Sequence, residues 1–182
     1  MARADLIALY AFEAELLAIP TRVTQPLLAE MRFTWWSEQM DGLFAGTPRK
    51  GHPVLEGLAR AQARRPMDRG VFDALIEAHI GRVHGEPHDM DAFYGGPMRL
   101  AAHMLTGTDQ SAAVEGAAQI WGWTQTGRYE VARAALGGAN ASLMSLPTAG
   151  FPAVAHATLS QPEAPEVIKK IKITWAVLRG RL

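Results

Sequence analysis

The chain has 182 residues, 48% of them hydrophobic and 20% charged, with 18 basic residues matched by 18 acidic ones. That length and balance suit one folded domain with a full core and exclude a disordered chain. The absence of cysteine excludes disulfides, thiolate metal sites and a cysteine nucleophile, and the zero net charge supplies no global field toward nucleic acid.

Leu6, Leu9, Tyr10, Leu16 and Leu17 recur mostly at three- and four-residue spacing, which predicts an amphipathic first helix. Pro20 has no backbone donor and disfavours helix at Ile19, so the helix is expected to end there. Pro26 suits the first turn of a second helix. On it Leu28, Met31 and Trp35 form one row and Trp36, Met40 and Leu43 another, so this helix should be central to the core. His52-Pro53 opens a third helix with Val54, Leu55, Leu58 and Ala59 as its apolar positions. Asp68 is the expected N-cap of a fourth, whose apolar side is Val71, Phe72, Leu75, Ile76, His79, Ile80 and Val83. Met67 and Phe72 flank that cap as a hydrophobic staple would.

Gly85-Glu86-Pro87 ends the fourth helix. Residues 89–105 read as a segment interrupted by Gly95-Gly96-Pro97, with helix resuming at Pro97. Asp109 or Ser111 would cap a sixth helix, from residue 112 to about 125, rich in alanine and glycine, which lets a neighbouring axis come close. Residues 129 to about 137 and 142–146 read as separate helical pieces. The stretch 147–152 breaks the pattern before a short helix ending near Leu159. Pro162 and Pro165 precede a final helix with Val167, Ile168, Ile171, Trp175 and Leu178 on its apolar side. Lys169, Lys170, Lys172, Arg179 and Arg181 outweigh Glu163 and Glu166 there. Such a cluster suits solvation and the helix dipole, and it also marks a candidate surface for an acidic partner or a phospholipid surface. With no period-two alternation and no repeat, the predicted architecture is a single all-α bundle of roughly seven to nine helices over residues 1–182.

No stretch nears the roughly 18 apolar residues of a transmembrane helix. The opening MARADLIALYAFEAELL lacks the basic head and cleavage site of a secretory leader, and Glu13 and Glu15 sit badly with a transit peptide. The expectation is a chain that begins near Met1 in a bacterial cytoplasm. His79, His84 and His88 lie near Glu77, Glu86, Asp89 and Asp91, but their spacing is not that of a helical metal motif, and a polar helix end is the reading. His52 reads as an N-cap or turn residue, and His103 and His156 as core-edge histidines. The serines lack a nucleophile elbow, and Gly95-Gly96 and Gly137-Gly138 lack the context of a phosphate loop. Arg32 can stack on Trp36 or pair with Asp5, Glu13 or Glu30. Alternatively it faces a cavity with Tyr10 and Trp36, where it would meet an anionic headgroup.

The run Leu9-Tyr10-Ala11-Phe12, then Arg32, Trp35-Trp36, Gly42-Leu43-Phe44-Ala45-Gly46 and His52-Pro53-Val54, resembles in that order the squalene/phytoene synthase family. The resemblance implies an isoprenoid-synthase-like helical bundle. In that family Mg²⁺, held by two aspartate-rich motifs, assists the ionisation of prenyl diphosphates. Aligned on residues 9–12, the first motif falls on Leu17, Ala18 and Thr21. The second is closest to residues 119–128, which hold no carboxylate. Residues 89–106 look compressed beside the family.

The resemblance therefore implies a catalytically silent protein with no catalytic residue, no metal site and no cofactor. It is closer to a branch that includes a respiratory complex I assembly factor, which residues 32–36, the turn 46–49 and the closing stretch 175–182 also fit. Likeness to that branch implies an assembly factor or accessory subunit of a membrane-associated respiratory or bioenergetic complex, peripheral on the inner membrane. Tyr10, Arg32 and Trp36 would surround a residual lipid or isoprenoid cavity. Lys169, Lys170, Lys172, Arg179 and Arg181 would form the partner or membrane surface. The alternatives are a Mg²⁺-dependent prenyl diphosphate transferase with carboxylates relocated to Glu13, Glu15 and Asp41, and an isoprenoid or lipid carrier.

Overall fold

Eight α-helices, joined by turns and by short π- and 3₁₀-helical segments, make up the computed structural model, which describes residues 2–159 and 165–182. The described residues contain no strand, and no helix among them is long and apolar enough to cross a membrane. The chain is all-α. Its contacts sort into two compact units that divide between Ala92 and Phe93.

The first unit holds α1 (Ala2–Arg22), α2 (Pro26–Phe44), α3 (Pro53–Arg64) and α4 (Arg69–Val83). α1 does not stop at Pro20. The proline forfeits one helical bond, but it stands in the last turn, where the Val23 N–H still donates to the Ile19 carbonyl at 2.9 Å. The core stripe of α1 is Leu9, Phe12, Leu16 and Ile19, whereas Tyr10 and Leu17 face outward. On α2 the row Trp36, Met40 and Leu43 goes inward together with Ala29 and Phe33. The other expected row turns away, with Leu28 and Met31 exposed. Phe12 explains why one row won. Its ring meets Trp36 edge-on at 5.2 Å and Phe72 of α4 at 5.4 Å, contacts worth about 0.5–1.5 kcal/mol each beyond the area they bury. Gly57 lets α3 close on α1, since a Cβ there would stand 2.8 Å from that of Ala8. At the open end of the same pair, buried Asp5 accepts from the guanidinium of Arg64. Asp68 caps α4 as expected, its Oδ1 accepting from the Gly70 N–H at 2.8 Å, with Met67 and Phe72 buried on either side.

A π-helical turn, Asp91–Gly95, precedes α5 (Gly96–Thr106), so Gly95 and Gly96 do not interrupt the helical path. Asp89 makes the turn possible by accepting from the Asp91 and Ala92 N–H groups, each at 3.0 Å. In the second unit α6 (Ser111–Gln125) packs on α7 (Tyr129–Leu143), the largest helix pairing there. The small residues of α6 act as expected. A Cβ on Gly116 would stand 2.9 Å from the Ala139 Cα, a separation that only glycine permits. α7 is one continuous helix, not two pieces. Gly137 and Gly138 cost it backbone entropy, and the burial of Ala132, Ala139 and Leu143 offsets that cost. The short helix expected before Leu159 is instead two 3₁₀ turns, Thr148–Ala153 and Ala155–Thr158, packed against α5, α6 and α8.

α8 (Glu166–Arg179) begins after Pro165 and stops at Gly180, whose φ of 63° suits glycine; Pro162 and Glu163 lie outside the described residues. Its expected apolar side does not face a core. Ala176 is the one buried residue of α8, while Val167, Ile168, Ile171, Trp175 and Leu178 all face solvent.

Candidate functional site

Within the first unit, the last turn of α1, the start of α2 and the turn before α3 enclose a cavity of about 560 Å³. That volume lies inside the range of about 300–1,000 Å³ typical of small-molecule sites. Ile19, Val23 and Leu28 give it apolar walls, and the indoles of Trp35 and Trp36 lie side by side along it. Trp36 is nearly wholly buried, so it forms floor rather than rim. The rim is cationic. Arg22 is loosely tied to Glu15 at 3.7 Å, and Arg32, exposed and also in the lining, has no ion pair or hydrogen bond among the described residues. Nearby, the Arg49 guanidinium sits 5.7 Å from the ring of Trp35.

His52 completes the wall. It occupies the N-cap position of α3 without making a capping bond, and its ring meets Trp36 edge-on at 5.3 Å. Its Nδ1 is buried and has no partner among the described residues. A buried ring nitrogen left unbonded is costly. With its apolar walls and cationic rim, the cavity can hold an apolar molecule whose head is anionic.

Of the three residues placed around a cavity by sequence, Arg32 and Trp36 line this one and Tyr10 does not. Tyr10 lies roughly 140° around α1 from Glu15, given about 100° per residue. Arg32 does not stack on Trp36; the guanidinium over that indole pair is that of Arg49, on Trp35. His52, Arg22 and Arg49 were not assigned to a site by sequence. The available signal was the His-Pro at a helix start beside the double tryptophan, which places an imidazole next to two indoles.

The carboxylates near α1 have separate surroundings. One oxygen of Glu13 is buried without a partner among the described residues, and burial pushes the group up to about 7. Glu15 faces Arg22, and Asp41 is held by Arg69, which also reaches Asp73 at 3.1 Å. Among the histidines, His79 is buried and stacked on Phe33 at 5.3 Å, with burial holding it down to about 4. His84 instead faces Glu30 at 3.3 Å.

In the second unit, Lys172, Arg179 and Arg181 converge around a second cavity, of about 710 Å³, together with Trp175. The Arg179 guanidinium lies 4.3 Å from the Trp175 ring. Lys170 is exposed on the other side of α8, and Lys169 is drawn to Glu166 at 2.9 Å. Thus three of the five expected cations come together and two do not.

The model of the squalene/phytoene synthase family matches residues 1–95, more than half of the chain. No curated protein and no solved structure matches the chain.

Proposed function

The chain belongs to the squalene/phytoene synthase family, and from that premise we propose that it is a catalytically silent member that works by binding. Its role on this reading is that of an assembly factor or accessory subunit of a membrane-associated respiratory or bioenergetic complex. One observation carries the proposal: Leu17, Ala18 and Thr21, where the resemblance would set the family's first aspartate-rich motif, do not fit Mg²⁺. Leu17 is an exposed hydrocarbon, Ala18 carries no donor, and the Thr21 hydroxyl is bonded to the Ala18 carbonyl at 2.8 Å. Mg²⁺ takes oxygen ligands through carboxylates, water and phosphate, and this segment of α1 offers no carboxylate. Of the three carboxylates a relocated site would draw on, Glu15 faces Arg22 and Asp41 is held by Arg69, while Glu13 is buried with one oxygen unpartnered among the described residues.

Two measurements test this. Affinity purification from the native host should recover a respiratory or related membrane complex with the protein, and recovery of the free chain alone overturns the assembly role. Incubation with farnesyl or geranylgeranyl diphosphate and Mg²⁺ should release no pyrophosphate above the protein-free blank; turnover would restore the transferase reading. The Trp-lined cavity with its arginine rim favours a second reading, an isoprenoid or lipid carrier. Native mass spectrometry of the purified protein would reveal co-purified lipid, lost on Trp36→Ala, if that reading holds.

A further inference from the structure

The outward side of α8 has the layout of a helix that lies on a membrane. At about 100° per residue, Val167, Ile168, Ile171, Trp175 and Leu178 fall within an arc of roughly 100°. All five are exposed, Leu178 at 73% and Val167 at 66%. Basic residues border this stripe on both edges: Lys172 and Arg179 on one, Lys170 on the other, with Arg181 just past the helix end. The acidic residue of the helix, Glu166, lies away from the stripe and is paired with Lys169. Apolar side chains flanked by long cationic ones, with an indole at the edge, match a helix embedded at the headgroup level. There Lys and Arg reach outward to phosphates while their stems stay apolar. The cavity shared by Lys172, Arg179 and Arg181 supplies a cationic pocket along one border.

We propose that α8 docks on an anionic phospholipid surface, its apolar stripe sunk toward the acyl chains and its bordering cations at the headgroups. Charge decides against the other occupant an exposed apolar face invites. A second copy seated on the same face would bring like-charged borders together. Lipid as the surface α8 meets deepens the binding role proposed above and rests on that reading for its biological setting. The test does not rest on it, because purified protein and synthetic vesicles contain no partner complex.

Vesicle sedimentation with the full chain tests it. Phosphatidylcholine vesicles with 30% phosphatidylglycerol should bind at least tenfold more tightly than pure phosphatidylcholine, and the preference should collapse at high salt. Lys170→Glu with Arg179→Glu should abolish the preference; neutralising one cation, as in Arg179→Gln, should weaken binding about fivefold. Ile171→Glu with Leu178→Glu, both at exposed positions, should abolish binding to either vesicle while the helical circular dichroism is unchanged. Saturating inorganic phosphate should not displace the vesicles. No preference for the anionic vesicles, or full binding by the Ile171/Leu178 variant, overturns the proposal. So does a concentration-dependent dimer abolished by that variant in a protein that ignores vesicles, which would assign the stripe to a second copy.

Discussion

Glu13 is a carboxyl group placed where an ionised one is poorly solvated, with an oxygen buried and unbonded and its pKa pushed from 4.5 to about 7. Between those two values the folded chain keeps a proton that the unfolded chain has already released. Stability therefore falls as pH rises from about 4.5 to about 7, and it levels off above that. Glu13→Gln removes the titration. Urea denaturation should find the variant more stable at pH 8 by about 1–3 kcal/mol and unchanged at pH 4. His79 runs in the opposite sense. Burial holds it down to about 4, so the unfolded chain takes up a proton first as pH drops below 6.5. Its contribution is complete above 6.5 and is lost as pH falls toward 4. His79→Gln should cost about 1–2 kcal/mol at pH 8 through lost stacking on Phe33, yet flatten the acid limb of a plot of Tm against pH. Neither residue was legible as a titrating group in sequence. Glu13 sits among apolar neighbours on a helix whose core stripe runs through Phe12, and only the packing reveals that its carboxyl went inward.

At the scale of elements, α6 and α7 approach closely, and two glycines separate the causes. Gly116→Ala would drive a methyl group to 2.9 Å from the Ala139 backbone, so it should destabilise the chain by about 1–3 kcal/mol. Gly137→Ala adds a methyl group into open space on the same helix pair and should stabilise it by about 0.4–1 kcal/mol. Chemical denaturation of both variants checks the contrast. Helix existence and the starts at Pro26, Pro53 and Asp68 were readable in sequence, because capping and proline chemistry are local. The ends of α4 before Gly85 and of α6 near residue 125 were readable too, but those of α1 and α7 were not. Pro20 sits within α1, and Gly137-Gly138 within α7, because the packing of those helices outweighs a lost bond or an entropic cost. The α8 stripe was readable as apolar but not as exposed, since spacing says which side chains share a face and not what that face meets. Likewise the family likeness placed Arg32 and Trp36 at a cavity, but it placed Tyr10 there too, which lies on another side of α1.

Over the whole molecule, the match to the family ends at residue 95, three residues past the division between the two compact units at Ala92 and Phe93. The family likeness thus belongs to the unit that holds the Trp-lined cavity. Charges balance across the chain, with a sequence pI near 7.0. Self-repulsion is accordingly weakest near neutrality, and light scattering should show the osmotic second virial coefficient at its minimum near pH 7, rising toward both pH 5 and pH 9. Any attraction of α8 to anionic surfaces must then be local to that helix and not a property of total charge. The five tryptophans are spread over both units; Trp35 and Trp36 adjoin each other, 5.1 Å apart with their planes at 78°. Two indoles that near and that steeply crossed share their excited states, so they should give a paired, opposite-signed band in the ultraviolet dichroism. Because both line the same hollow, whatever enters it will disturb that couplet, and the protein carries its own optical gauge of occupancy.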